Sequence, residues 1–120
     1  MKEEEPFAES IARYVDQKAQ EGIRLKDVAR DFKKDPSNLD ALFIEARGMT
    51  VKQYIDARRM EKLVHTLHDE TLTSHDVAKR MGFNNYDALA HYVRRLTGAA
   101  FTTLRAEVRR RKKQKARGRG

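Results

Sequence analysis

A repeat restricts the fold of this 120-residue chain more than any other feature of its sequence. Asp27-Val28-Ala29-Arg30 returns as Asp76-Val77-Ala78-Lys79, 49 residues later, and Leu39, Phe43 and Gly48 return as Leu89, Val93 and Gly98 at a separation of 50. The extra residue falls in the turn of the second copy. Each copy reads as a short amphipathic helix, a tight turn, and a longer helix with an apolar stripe, ended by a glycine where a left-handed residue is wanted. One copy would describe any helical pair in a bundle. Two copies in register describe helix-turn-helix units, in which the second helix can enter the DNA major groove.

The rest of the chain is also helical in pattern, with apolar residues at spacings of three and four and no alternating runs. Pro6 suits a first turn, and Phe7, Ile11, Val15 and Ala19 share a face up to Gly22. Leu25, Val28, Ala29 and Phe32 line a short helix; Asp35 caps the next, with Pro36 at its first position and Leu39, Leu42, Phe43 and Ala46 as its stripe. Thr50 and Gln53 form a capping box for the longest helix, whose inward face is Tyr54, Ile55, Leu63, Val64 and Leu67. Thr73 with Asp76 opens a short helix carrying Val77, Ala78 and Met81; Asn85 caps a helix striped by Leu89, Tyr92, Val93 and Leu96; a last helix holds Phe101, Leu104 and Val108. The expectation is an all-α fold of about seven helices, two helix-turn-helix subdomains joined by a long central helix. The expected divisions are residues 1–49 (first helix and first unit), 50–68 (linking helix), 69–105 (second unit) and 106–120 (a basic, disordered tail). A linking helix of that length is about 28 Å at ~1.5 Å per residue, near the ~34 Å repeat of the major groove.

Charge adds a partner. The net +8 lies wholly in residues 105–120, where nine bases (Arg105, Arg109, Arg110, Arg111, Lys112, Lys113, Lys115, Arg117, Arg119) meet one acid, Glu107. Such a run is attracted to polyphosphate, or is a self-repelling solvated end. With no cysteine, disulfides, thiolate metal sites and thiol nucleophiles are excluded. The start, Met-Lys-Glu-Glu-Glu-Pro, does not read as a secretory signal, and no run approaches the roughly 20 apolar residues of a membrane span.

At this point the sequence resembles the DNA-binding region of the AraC/XylS family of bacterial transcription regulators, over about residues 7–105. The stretches that carry the resemblance are Leu25 to Phe43, Gly48-Met49-Thr50 with Tyr54-Ile55 and Arg58-Arg59-Met60, Leu72 through Phe83, Leu96-Thr97-Gly98 and Leu104-Arg105. The resemblance implies seven helices, two helix-turn-helix units and sequence-specific promoter binding, in a small stand-alone member. It places Ser37, Asn38, Asp40 and Ala41 on the first reading helix, with Ile44 and Glu45 further out. On the second it places Asn84, Asn85, Tyr86, Asp87, Ala90 and His91 toward the groove, with Arg94 and Arg95 as phosphate anchors beside Lys79 and Arg80. Phe83, Tyr54, Phe43 and Phe101 are expected in the core. Departures from the family pattern are Lys33 where glycine is common, Ala41 and His91 where arginine is frequent, Ser74 for isoleucine, Leu104 for an aromatic, and Ala100-Phe101 for a hydroxyl cap and proline. Ser74 is expected to weaken packing of the second unit, and Asp40 with Glu45 to weaken reading by the first. The terminal basic run has no family counterpart.

Other chemistry finds little support. His65, His68, Asp69 and His75 cluster in sequence without the closed four-ligand set of a structural zinc site, and no catalytic motif is present. The expected function is a non-enzymatic, cofactor-free, sequence-specific regulator reading the major groove with both units. It would be cytoplasmic and nucleoid-associated, a monomer in solution, partnered by double-stranded DNA and RNA polymerase but not by a membrane. Its DNA-binding residues would be Ser37, Asn38, Ala41, Asn84, Asn85, Tyr86, Ala90, His91, Arg94 and Arg95, with Arg109, Arg110, Arg111, Lys112 and Lys113 on the tail. The alternative is a protein-interaction module of the same fold whose basic tail holds nucleic acid non-specifically.

Overall fold

The structure is a computed structural model and describes residues 4–18 and 22–119. Among these are seven α-helices and no strands: α1 (Glu4–Lys18), α2 (Leu25–Asp31), α3 (Pro36–Arg47), α4 (Val51–Leu67), α5 (Ser74–Arg80), α6 (Tyr86–Thr97) and α7 (Phe101–Arg119). Ala19, expected to continue the stripe of α1, lies outside the described residues. The chain packs as two compact units that divide after Met60, inside α4. The expected linking helix is therefore a single helix with a share in each unit. Among the described residues no helix is long and apolar enough to cross a membrane.

In the first unit, the stripes read from sequence meet in one core of Ala8, Ile11, Ala12, Val15, Val28, Ala29, Leu39, Phe43, Val51 and Ile55. Phe32 receives the edges of Phe7 and Tyr14 at centroid distances of 5.6 and 5.5 Å, and Phe43 stacks edgewise on Tyr54 at 5.4 Å. Two polar ties fasten α1 to the elements that follow. The Tyr14 hydroxyl donates to Asp31, a bond that pushes the phenol up to about 12 and holds the Asp31 carboxyl below its usual range. The Tyr54 hydroxyl donates to Asp16 at 2.9 Å, and Arg58 pairs with the same carboxylate at 2.8 Å.

The turns follow local chemistry. Asp35 accepts from the Ser37 amide at 3.1 Å, Pro36 stands at the first helical position, and Gly48 closes α3 at φ 75 with its amide on the Ile44 carbonyl. Thr50 and Gln53 bond reciprocally at 2.9 and 3.0 Å. In the second unit Thr73 and Asp76 do the same at 3.0 and 3.1 Å, which holds the Asp76 carboxyl below its ordinary range. Asn85 accepts from the Ala88 amide at 2.9 Å and Gly98 ends α6 at φ 79. This unit buries Leu63, Leu67, Val77, Ala78, Met81, Leu89, Tyr92, Val93, Phe101 and Val108. Of the expected core aromatics, Phe43 and Phe101 are buried, while Phe83 and Tyr54 are half-buried against Tyr92 and Phe43.

The terminal segment differs from expectation. Residues 106–119 continue α7 as helix, which begins at Phe101 with the Leu104 amide on the Ala100 carbonyl at 3.1 Å. Counting charge alone predicts self-repulsion and disorder; the structure supplies counter-groups. Arg105 donates to the Leu72 carbonyl and, at 3.3 Å, to the Ser74 hydroxyl. Arg109 pairs with Glu70 at 3.5 Å, and Lys112 donates to the His68 carbonyl at 2.7 Å beside the same Glu70 at 3.7 Å. Spacings of four and three put these three bases on one side of the helix, toward the connection between α4 and α5. Ser74, expected to weaken packing, thus has a polar partner in Arg105.

Candidate nucleic-acid interface

Each unit presents a short helix, a sharp turn and a longer helix, and the two turns are built alike bond for bond. In the first, the amides of Phe32, Lys33 and Lys34 reach the carbonyls of Val28, Arg30 and Ala29 at 2.9, 3.1 and 2.9 Å. In the second, those of Met81, Gly82 and Phe83 reach Val77, Lys79 and Ala78 at 3.0, 3.0 and 2.9 Å. The left-handed position is Lys33 at φ 55 in one and Gly82 at φ 82 in the other. Lys33, standing where the family resemblance makes glycine common, adopts this positive φ with the steric cost a Cβ brings there. A further asymmetry lies at the start of the short helices: Asp27 accepts from the Arg24 amide at 2.9 Å, but Arg24 stands where Thr73 supplies a hydroxyl.

On α3, Ser37, Asn38, Ala41, Ile44 and Glu45 are exposed, and Ile44, 46% exposed, is the large apolar side chain most open to solvent among the described residues. Asp40 does not join them. It is half-buried and its carboxylate accepts from the Val51 amide at 2.9 Å, capping the start of α4. This corrects its placement on the reading face: α4 has an unpaired amide near its first turn, and the adjacent Asp40 carboxylate satisfies it.

Ahead of α6, Asn84 and Asn85 are exposed, and on the helix Asp87, His91, Arg94 and Arg95 are exposed and Ala90 is half-buried. Two of the expected contact residues have structural duties. The Asn85 amide oxygen is the cap of α6, and the Tyr86 ring packs edgewise on Phe101 at 5.5 Å and 82°. Arg95 lies over the Tyr92 ring at 5.6 Å and is exposed. Under the 50-residue offset of the repeat, Ala41 corresponds to His91, Ile44 to Arg94 and Glu45 to Arg95. The outer face of α6 therefore carries guanidinium donors where that of α3 carries a methyl-rich side chain and an acid.

The basic residues of α7 divide by helical face. Arg109 and Lys112 are engaged with Glu70 as described. Arg110 and Arg111 both reach Glu107, at 3.1 and 2.9 Å from their Nε atoms, and hold its carboxyl below the usual range. Lys113, Lys115 and Arg117 are exposed and have no ionic partner among the described residues. Sequence reading missed Arg105 and its clamp, although the 105, 109, 112 spacing was a signal for it. Charge is unequally shared: residues 1–60 hold 12 bases and 12 acids, residues 61–120 hold 14 bases and 6 acids. His65 and His68 lie 6.5 Å apart, and among the described residues no group of three or more His, Cys, Asp or Glu is arranged to hold a metal ion.

A family model described as a helix-turn-helix domain matches residues 28–107. No curated protein matches the chain. Among solved structures, the C-terminal domain of AraT, a response regulator from Geobacillus stearothermophilus, is 21% identical, with a TM-score of 0.69 over 88% of this chain and 84% of that one. The DNA-binding domain of AdpA, described as the global transcriptional factor and solved in complex with a target DNA, is also 21% identical, with a TM-score of 0.68 over 89% of this chain and 96% of that one. With two-thirds of its length inside the family match, and with both turns built to one pattern, the chain belongs to the AraC/XylS-type helix-turn-helix family of DNA-binding transcription regulators.

Proposed function

We propose that this protein binds double-stranded DNA in a sequence-dependent way and that α6 is its principal reading helix. The observation that carries this reading is the outer face of α6. There Asp87 and His91, with Asn84 in the turn just ahead of the helix, offer donors and acceptors of the kind that match base edges, with Arg94 and Arg95 one turn beyond as phosphate anchors. The whole +8 excess sits in the same unit, and AdpA, of similar fold, is seen on DNA. On α3, Ser37, Asn38 and Ala41 form the smaller reading surface. With Ile44 and Glu45 where α6 has Arg94 and Arg95, its contribution to affinity is minor, so the first unit adds selectivity over a few base pairs. RNA polymerase is the further partner this role requires, with the protein acting as a monomer.

The test is selection of bound duplexes from a random pool by the full chain, followed by footprinting. Two protected adjacent major grooves, with His91→Ala costing ~1–3 kcal/mol of discrimination, are the expected result. Equal loss on selected and random duplexes would refute reading by α6. A second reading is favoured by one observation, the exposed Ile44 beside Glu45: the first unit binds protein while the second holds DNA. A single protected groove, with Ile44→Ala neutral for DNA, is its signature.

A further inference from the structure

We infer that α7 carries a stripe for the nucleic-acid backbone, formed by Arg110, Lys113 and Arg117, and that the neighbouring Arg105, Arg109 and Lys112 are not part of it. This rests on the DNA-binding reading and sharpens it: the basic helix is two-sided, one side a clamp and the other a grip. On a helix with 3.6 residues per turn, residues 105, 109 and 112 share one arc, and 110, 113 and 117 share the adjoining arc, about 100° round the axis. The first set is engaged with the Leu72 and His68 carbonyls, the Ser74 hydroxyl and Glu70. The second set is exposed throughout, and among the described residues only Arg110 of the three has an ionic partner, Glu107. Three cations spread over about 10 Å of helix at ~1.5 Å per residue suit a polyanion, because duplex DNA presents one negative charge per ~1.7 Å of axis. Glu107 acts as an internal counter-ion that keeps Arg110 and Arg111 oriented and lowers the charge they present.

Cutting the chain near Arg105 cannot test this, since it would remove the buried Val108 and the clamp along with the stripe. The test is a charge-matched pair of variants of the full chain. Lys113→Gln/Arg117→Gln removes two charges from the stripe, and Arg109→Gln/Lys112→Gln removes two from the clamp. The readout is the slope of log affinity against log salt for a random duplex, with circular dichroism as the check of helicity. The stripe variant should flatten the slope by about 1.8, at ~0.9 per phosphate contact, with helicity unchanged. The clamp variant should flatten it by less than half as much while α7 loses helicity. Glu107→Gln should steepen it. Equal flattening by both pairs would mean a uniform cloud of charge and would overturn the division into faces. An unchanged slope in the stripe variant would overturn the stripe, and an unchanged slope in Glu107→Gln would overturn the role given to that acid. Wild-type binding that is salt-dependent but indifferent to sequence would sink the proposed function while leaving the stripe standing. A wild-type chain with no salt-dependent affinity for duplex would sink both.

Discussion

Replacing Lys33 with glycine should stabilise the first unit, a gain that follows from the comparison of its two turns. Lys33 sits at φ 55 where the second copy has Gly82 at φ 82, and among the described residues its exposed side chain makes no hydrogen bond or ion pair that the change would remove. An L-residue in the left-handed region bears ~1–2 kcal/mol of steric cost. Glycine relieves this but returns ~0.4–1 kcal/mol of conformational freedom to the unfolded chain. The balance is a gain of about 0.5–1 kcal/mol. The reciprocal change, Gly82→Ala, should cost the second unit about the same. Because two units need not unfold together, native-state amide exchange is the suitable assay. The reporters are the Lys34 amide, bonded to the Ala29 carbonyl at 2.9 Å, and the Phe83 amide, bonded to Ala78 at 2.9 Å. A shift of 0.7 kcal/mol is roughly threefold in protection: slower at Lys34 in Lys33→Gly, faster at Phe83 in Gly82→Ala. If Lys34 exchange is unchanged or faster in Lys33→Gly, the left-handed cost is not borne at this turn and the reasoning fails.

Asp40→Ala should lower first-unit stability by ~1 kcal/mol through the freed Val51 amide, with Asp40→Asn recovering part of it; a neutral result in urea denaturation would contradict the cap. Tyr86→Phe should keep the fold intact, since the contact with Phe101 is made by the ring, whereas Tyr86→Ala should cost ~1–2 kcal/mol through the lost packing of a half-buried ring on Phe101. Loss of base discrimination in Tyr86→Phe, read by competition binding, is then the measure of a hydroxyl contact to DNA. Acid should destabilise the protein: the Asp31, Asp69, Asp76 and Glu107 carboxyls are all held below their ordinary values, chiefly by hydrogen bonds. Their folded forms therefore bind fewer protons than the unfolded chain, so their contribution is complete above about pH 4–5 and is lost as pH falls through the folded values. Asp76→Asn should make the pH dependence of the melting temperature shallower below pH 4; an unchanged profile would contradict its share.

What the sequence discloses and what it hides follow the range of the interaction. Caps and turn glycines act within two to four residues, so Asp35, Thr50 with Gln53, Thr73 with Asp76, Asn85, Gly48 and Gly98 are readable from the chain alone and stand where they were placed. The family resemblance adds Lys33, because it marks a turn position where glycine is common. Contacts that close over a distance are not readable in this way. Asp40 reaches an amide 11 residues ahead, Arg105 a carbonyl 33 residues back and Lys112 one 44 residues back. Each depends on which helices pack together, and each converts a residue that looks solvent-facing into a fastener. The helical course of the basic segment was missed for the same cause: its counter-charge, Glu70, belongs to a distant connection. Tyr86 shows the converse, a ring whose position in the reading helix suggests contact with a ligand but which is half-occupied by Phe101.

The carboxylate of Asp40, spent on the first turn of α4, changes how far apart the two units are as instruments. With that acid withdrawn, the electrostatic contrast between the outer faces of α3 and α6 reduces largely to Ile44 and Glu45 against Arg94 and Arg95. Both residues are exposed, and neither supports the core. Two codon changes at these positions would give the first helix the cationic profile of the second without disturbing its scaffold, so a descendant could gain or surrender half of its binding site in two cheap steps.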